Sequence, residues 1–446
     1  MRLPLLLLVL AFASASSVLA QQPPYDKPLP VEPPYYRVRY EPSTKPGELV
    51  YGVNYVLWVP PKVKALRGIV VHQHGCGTGS CLSGQTGAFD LHWQALAQAH
   101  DCALLSPSYE QPDKTNCQMW CDPRKGSAKA FFNALEDFAE QSGHTELPTL
   151  PLAMWGHSGG GHWVGGMTLL YPERVIATWN RSGVPSFDPE ETRYDPYLEI
   201  KPEVLKVPIM VNLGTKEGVS VTNGRFKGVW PNVQAYFAKL RPMGAHIGIA
   251  IDPLTSHECG NQRYLAMPWF DACLKMRLPK QPGEPLKMIP EGSGYLATLQ
   301  TDPQQITPAI PASRYSGEHA KALWLPEATS AKAWFEFVVD NKITDQTAPA
   351  KPVDLTINGK VLTWNSQADL QSGISHFLIY RDGELLTQYP QKVTNRFGRP
   401  LFQGLQYSDT PVQPLTEMKF VDQTADSSKT HQYEIKAVNT VGLVSE

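Results

Sequence analysis

Ser158 is the side chain best placed to act as a nucleophile, because it stands in the sequence Gly156-His157-Ser158-Gly159-Gly160. This GxSxG pattern directly follows the apolar run 150–155 and precedes a segment with helical character. A strand that ends in a tight turn and enters a helix exposes the serine hydroxyl and aims the amino end of the helix at it. The pattern therefore predicts a nucleophile elbow, with the N–H of Gly159 as one donor to a developing oxyanion.

A serine hydroxyl attacks only when a base takes its proton and a third group orients that base. After an elbow of this kind, the acid and then the histidine follow along the chain. Glu217 lies in the turn after the apolar strand 208–213, and His257 follows the last predicted strand of the sheet. These positions predict a triad of Ser158, Glu217 and His257.

Two other carboxylates remain alternatives to Glu217, since Asp188 and Asp252 also lie near strand ends. His157 neighbours the nucleophile, and we expect its side chain to pack and not to act as the base. Trp120 and Trp163 are candidates to stack on a substrate, although tryptophan is more often buried in a core.

The second oxyanion donor is expected from the loop after strand 68–73, which carries His74-Gly75-Cys76-Gly77. In elbow enzymes this loop supplies a backbone N–H opposite the one that follows the serine. The N–H of Cys76 or of Gly75 is the predicted donor. A disulfide within this loop would stiffen it.

The seven cysteines predict disulfides together with one free thiol. Cys102, on an apolar strand, is expected to be the buried thiol. The other six form near pairs along the sequence, although sequence alone leaves the connectivity open: Cys76 with Cys81, Cys117 with Cys121, and Cys259 with Cys273. These pairs lack the histidine and cysteine neighbours of a zinc site. We therefore expect no metal and no cofactor.

The amino terminus resembles an export signal. Arg2 precedes a short apolar run, and small residues at 17–20 offer a cleavage site, so we predict a signal peptide at 1–20 and a secreted chain from Gln21. The formal net charge of −2 gives no electrostatic reason to expect a nucleic acid or an anionic membrane as a partner. No later segment has the apolar length of a membrane helix.

Strand-like segments recur along the first 280 residues, at 36–40, 51–59, 68–73, 102–107, 150–155, 175–179, 208–213 and 246–251. Helical patterns alternate with the later strands, which predicts an α/β fold with a mostly parallel sheet and helices on both faces. The first two strands have no helix between them, so the sheet should begin antiparallel.

The remainder of the chain divides into two parts. Residues 281–347 are proline-rich and polar, which predicts a connector or cap with a helix at 328–339. Residues 348–446 change to a period of two with short turns, which predicts a small β-sandwich. Its pattern Tyr433-x-Ile435-x-Ala437-x-Asn439-x-x-Gly442, with Trp364 on an early strand, resembles a fibronectin type III domain. Residues 21–280 are then the catalytic domain.

The elbow, the His74-Gly75 loop and the order Ser158, Glu217, His257 together resemble the α/β-hydrolase superfamily on its serine-esterase side. The resemblance implies a carboxylic ester hydrolase that works through an acyl-serine intermediate. A secreted chain with a β-sandwich resembles extracellular enzymes that act on polymeric or cell-wall esters. The expected substrate is therefore a small or polymeric ester, and the β-sandwich is expected to contact a polymer surface. A serine peptidase of the same fold and a non-catalytic binding protein are the alternatives. We expect removal of 348–446 to spare the hydrolysis of small esters.

Overall fold

The computed structural model describes residues 31–192, 194–392, 402–412 and 418–446. The predicted signal peptide at 1–20 and the predicted start of the secreted chain lie outside the described residues. Within the part that is described, no helix is both long enough and apolar enough to cross a membrane.

An eight-stranded sheet forms the centre of the fold. Its strands are β1 (Tyr35–Tyr40), β2 (Val53–Trp58), β3 (Gly68–Gln73), β4 (Cys102–Tyr109), β5 (Leu152–His157), β6 (Val175–Arg181), β7 (Ile209–Gly214) and β8 (Ile247–Asp252). Their order in space is β1-β2-β4-β3-β5-β6-β7-β8. β2 is antiparallel to both of its neighbours and the other pairs are parallel, which confirms the predicted antiparallel start.

Helices cover this sheet. They are α1 (Thr78–Ser83), α2 (Leu91–Ala99), α3 (Gln118–Cys121), α4 (Ser127–Ser142), α5 (Gly159–Leu170), α6 (Val229–Leu240), α7 (Arg263–Arg277) and α8 (Ala328–Asp340). Every residue of β2 to β8 is buried, as expected when both faces of a sheet are covered. The mostly parallel sheet with this strand order has the α/β-hydrolase fold, as the sequence predicts.

The connector packs onto the far edge of the sheet. A three-stranded sheet of β9 (Tyr295–Ala297), β10 (Ile310–Pro311) and β11 (Leu323–Leu325) precedes α8, which confirms the predicted helix. The indole N–H of Trp334 on α8 donates to the backbone oxygen of Ile249 on β8 at 2.9 Å. Leu323 and Leu325 join the core of the large sheet, so this segment is a packed part of the fold.

Two three-stranded antiparallel sheets form the end of the chain, here called the β domain. Its strands are β12 (Val353–Asn358), β13 (Val361–Asn365), β14 (Ile374–Arg381), β15 (Glu384–Tyr389), β16 (Lys419–Val421) and β17 (Tyr433–Asn439). The sheets have the orders β12-β13-β16 and β15-β14-β17. They share a core that includes Trp364, Phe377 and Ile435. The predicted small all-β domain is present, whereas its assignment as fibronectin type III stays a prediction.

The disulfide in the structure, whose connectivity the sequence left open, does not join any of the near pairs. Cys76 is bonded to Cys117, 41 positions further along the sequence, with 5.8 Å between their Cα atoms. This bond excludes the pairs Cys76–Cys81 and Cys117–Cys121. Cys273 is a buried thiol, so its predicted bond to Cys259 is not formed. Cysteines that are neighbours in sequence are not the ones that are bonded, because the fold brings the loop after β3 against the start of α3. Cys102 is a buried thiol, as predicted.

Candidate active site

Ser158 occupies a strained turn between β5 and α5. Its φ of 56° and ψ of −114° lie in a region that residues with a side chain rarely adopt. Gly156 must lack a side chain, since a Cβ there would overlap the backbone oxygen of Gly160. The N–H of Ser158 donates to the backbone oxygen of Arg181 at 2.6 Å, which ties the turn to the end of β6. The local structure is that of the predicted nucleophile elbow.

The structure brings Ser158, His257 and Glu217 into one hydrogen-bonded chain. His257 Nε2 lies 2.8 Å from Ser158 Oγ, and His257 Nδ1 lies 2.6 Å from Glu217 Oε1. A carboxylate oxygen accepts hydrogen bonds, so Nδ1 carries the ring proton and Nε2 offers its lone pair to the serine hydroxyl. Loops at the carboxyl ends of β5, β7 and β8 supply the three residues, which explains how positions so distant in sequence meet.

Glu217 is fully buried and both of its oxygens are hydrogen-bonded. Oε2 accepts from Ser182 Oγ and from the N–H of Gly214, both at 2.7 Å. Burial raises the pKa of this carboxyl, but the hydrogen bond from His257, the charge of Arg181 and the Ser182 hydroxyl outweigh it, and the net pKa is lowered. Glu217 therefore stays ionised and fixes the tautomer of His257.

Arg181, at the end of β6, links the acid to the loop that carries the histidine. Its buried guanidinium lies 3.8 Å from Glu217 Oε2. The same group donates to the backbone oxygens of Ser256, at 2.9 Å, and Glu258. Sequence reasoning missed this residue. The sequence feature that could have identified Arg181 is its position at the end of a predicted strand of the sheet, where site residues are found.

The alternative acids lie elsewhere. Asp188 is exposed and accepts from the N–H of Glu190 at 2.9 Å. Asp252 is buried and accepts from the N–H of Leu254 and from Asn341 Nδ2, both at 2.9 Å. The imidazole Nδ1 of His257 is already engaged by Glu217, so geometry favours Glu217 over both.

A cavity of about 180 Å³ opens beside the serine. Its lining includes Ser158 and His257, together with Tyr194, Arg225, Phe226 and Val233. The ring of Phe226 stacks on the imidazole of His257 with a centroid distance of 3.9 Å and an interplanar angle of 2°. Phe226 lies in a segment without a strand or helix signal, so the sequence analysis did not identify it.

The two tryptophans that were candidates to stack on a substrate do not reach the cavity. Trp120 and Trp163 are both fully buried. Their indole N–H groups donate inside the protein, to Gln111 Oε1 at 2.8 Å and to Ser127 Oγ at 3.0 Å respectively. They are core residues behind the site.

The disulfide Cys76–Cys117 lies against the first turn of α5. A Cβ on Gly159 would overlap the Sγ of Cys76 and would come within 2.7 Å of the Sγ of Cys117. The residue after the nucleophile must therefore be glycine in this protein. The bond ties the loop after β3, where a second oxyanion donor is expected, to the start of α3, and its sulfurs pack against the elbow.

The two candidates for that donor differ in their surroundings. The N–H of Gly75 points to the hydroxyl of Ser408 at 3.4 Å, which leaves Cys76 as the better candidate. The sulfurs of Cys76, Cys117 and Cys121 lie within 4.8 Å of one another. Because two of them are bonded to each other, they do not offer the thiolates that a metal requires.

No family model matches the chain, and no curated protein sequence matches it. Solved structures that are similar in fold are esterases and serine hydrolases. A thermostable esterase aligns over 49% of this chain and 54% of its own, at 16% identity and a TM-score of 0.34. An IroE-like serine hydrolase from Shewanella oneidensis aligns over 50% of this chain and 75% of its own, at 16% identity and a TM-score of 0.33.

An S-formylglutathione hydrolase from Agrobacterium tumefaciens aligns over 54% of this chain and 93% of its own, at 16% identity and a TM-score of 0.34. The chain spans about half the length of the thermostable esterase, 54%. Likeness at this level concerns the fold, and the chemistry has to be argued from the site.

Proposed function

We propose that this protein is a serine carboxylic ester hydrolase that acts through an acyl-serine intermediate. The observation that carries the proposal is the chain of hydrogen bonds from Ser158 Oγ through His257 to Glu217, at 2.8 and 2.6 Å. A non-catalytic protein would have no physical need for a serine in a strained turn, an oriented imidazole and a buried carboxylate in this order. The open cavity beside the serine gives a substrate access to it.

In the first step His257 Nε2 takes the hydroxyl proton of Ser158 while Oγ bonds to the ester carbonyl carbon. The carbonyl oxygen becomes an oxyanion, which the N–H groups of Gly159 and Cys76 would stabilise. Glu217 stays ionised and stabilises the imidazolium that forms. His257 then returns the proton to the alcohol oxygen as the carbon–oxygen bond breaks, and an acyl-serine remains.

In the second step the same groups act on water. His257 takes a proton from water, the hydroxide oxygen bonds to the acyl carbon, and the proton returns to Ser158 Oγ as the acid leaves. Phe226 covers one face of the imidazole, with 3.9 Å between ring centroids, so the ring keeps one orientation through both steps.

We further propose export and an extracellular polymeric or cell-wall ester as the natural substrate. The signal-like sequence at 1–20 and the Cys76–Cys117 disulfide support export, since disulfides persist in oxidising compartments. The β domain, which carries none of the proposed catalytic residues, supports contact with a polymer surface.

The test is labelling by a fluorophosphonate probe together with turnover of a short aryl ester. We expect the wild-type protein to be modified at Ser158 and to hydrolyse the ester, and Ser158→Ala to do neither while it keeps the same melting temperature. Ser43→Ala is the matched control, because the Ser43 hydroxyl binds Glu48 Oε2 at 2.7 Å in a different pocket. A wild-type protein that is not modified at Ser158 would refute the proposal. The proposed polymeric or cell-wall substrate is tested by measuring whether the wild-type protein hydrolyses polymeric esters.

A further inference from the structure

A segment of the β domain reaches into the α/β-hydrolase domain behind the triad. This 402–412 segment begins in the β domain, where the N–H of Phe402 donates to the backbone oxygen of Ile374 at 2.8 Å and its ring joins the β-domain core. It turns back on itself, with a bridge between Leu405 and Pro411. Ser408, Asp409 and Thr410 at its tip are fully buried.

Asp409 anchors the tip of the segment. Its Oδ2 accepts from Arg263 Nε on α7 at 2.8 Å and from the indole N–H of Trp93 on α2 at 3.3 Å. Arg263 also pairs with Asp90 through Nη1 at 3.0 Å. If the segment undocked, the buried guanidinium of Arg263 would lose one of its two carboxylate partners. Undocking therefore has a high free-energy cost.

Ser408 is held by this anchor between two parts of the proposed catalytic machinery. Its Oγ lies 3.1 Å from Nδ1 of His157, the residue before the nucleophile. It also accepts from the N–H of Gly75, next to the proposed oxyanion donor Cys76. One hydroxyl thus contacts both the elbow and the oxyanion loop.

His157 carries the contact on to His257. Nε2 of His157 lies 2.7 Å from the backbone oxygen of His257, and a carbonyl oxygen only accepts, so Nε2 carries the proton. Burial, and then the charges of His257 and Arg181, hold the pKa of His157 well below its usual value, so the ring is neutral. Nδ1 is then an acceptor, and the Ser408 hydroxyl donates to it.

We infer that Ser408 is a positioning residue of the active site, which fixes the backbone of His257 through His157 and the oxyanion loop through Gly75. The inference rests on the proposed function, because positioning matters only if His257 and Ser158 react. Ser408 is absent from the lining of the substrate cavity, so its removal should affect the reaction step and leave substrate binding unchanged. The β domain is then a structural part of the active site.

The main test is Ser408→Ala, with Ser372→Ala as the matched control. Ser372 is a buried serine of the β domain whose hydroxyl donates to Asp345 Oδ2 at 2.7 Å, away from the triad. We expect Ser408→Ala to lower kcat about tenfold with KM within about twofold, since about one oriented hydrogen bond is lost. Ser372→Ala should keep wild-type kcat. Equal kcat for Ser408→Ala and the wild type overturns the inference.

A double-mutant cycle separates positioning from general damage. If Ser408 acts partly through His157, Ser408→Ala should lower kcat less in a His157→Gln background than in the wild type, because only its contact with Gly75 is then left to lose. Two independent effects that simply multiply would overturn this route. Ser408→Thr, which keeps the hydroxyl, should retain most of the activity.

A second measurement on the wild-type protein does not depend on activity. The ring-nitrogen NMR signals of His157 can be assigned by their loss in His157→Gln. They should show a neutral imidazole that is protonated at Nε2. A proton on Nδ1 would overturn the inference, even if Ser408→Ala does not fold. Labelling of wild-type Ser158 by the fluorophosphonate separates the two claims. Absence of that labelling refutes the proposed function and with it the positioning role, whereas labelling with an unaffected Ser408→Ala refutes only the positioning role.

Discussion

Buried neutral histidines should make this protein sensitive to mild acid. His92 on α2 donates from Nε2 to the backbone oxygen of Leu370 at 3.0 Å, while its buried Nδ1 has no hydrogen-bond partner among the described residues. Burial, and then the charge of Arg263, lowers the pKa of His92 to about 4. His74 has a pKa of about 3, chiefly through burial, and its Nε2 accepts from the N–H of Tyr109 at 3.3 Å. Protonation of that nitrogen would replace an acceptor with a second donor.

The sign and size of the effect follow from proton linkage. An unfolded histidine takes up a proton as the pH falls below about 6.5, whereas these two stay neutral in the folded state until about pH 4 and 3. Their contribution to the free energy of unfolding is therefore complete above pH 6.5 and declines below it. Between pH 8 and pH 5 each site should lose about 2 kcal/mol. Together they would remove about 4 kcal/mol from a total that is usually about 5–15 kcal/mol.

The assay is urea denaturation of wild type and His92→Gln across this pH range. Glutamine keeps an N–H donor for Leu370 but does not titrate, so the variant should lose about 2 kcal/mol less than the wild type between pH 8 and pH 5. His319→Gln, which changes an exposed imidazole, is the control and should follow the wild type. Parallel pH curves for wild type and His92→Gln would refute the reasoning.

Three further predictions concern the site. Glu217→Gln should lower kcat about 10³- to 10⁴-fold, because the amide cannot hold the Nδ1–H tautomer of His257. Asp188→Asn, at an exposed position, should change kcat little. The reverse result in aryl-ester kinetics would contradict the assignment of the acid. Reduction of Cys76–Cys117, or Cys117→Ser, should lower the melting temperature measured by calorimetry, and an unchanged value would show that the bond does not constrain the fold. Deletion of 348–446 should lower kcat for aryl-ester hydrolysis at least tenfold, contrary to the expectation from sequence, because Ser408 is lost and Arg263 loses its partner Asp409; full activity of the shortened protein would refute the structural role of the β domain.

The large sheet and the triad could be predicted because their signals are local or ordered along the chain. Each parallel strand is an apolar run, and the elbow is five consecutive residues around Ser158. The rule that acid and histidine follow the serine then selects Glu217 and His257, although Asp188 and Asp252 satisfied it nearly as well. Only the three-dimensional arrangement separates them, since Asp188 is exposed and Asp252 is bound to Asn341.

The contacts that could not be predicted all join segments far apart in sequence. The disulfide partner of Cys76 lies 41 residues away, whereas the nearer Cys81 is a separate buried thiol. Ser408 lies 251 residues from His157, in a segment without periodicity. Phe226 reaches His257 only through the fold of the loop before α6. Composition and spacing carry no information about such pairs.

The position of the 402–412 segment also sets the order in which the site can be completed. Synthesis proceeds from the amino terminus, and domains fold as units while later parts of the chain are still being made. Ser158, Glu217 and His257 are all translated well before Asp409, the anion that pairs with Arg263. A nascent chain therefore holds Ser158, Glu217 and His257 before Ser408 can dock behind them, and full activity should appear only when translation is nearly finished.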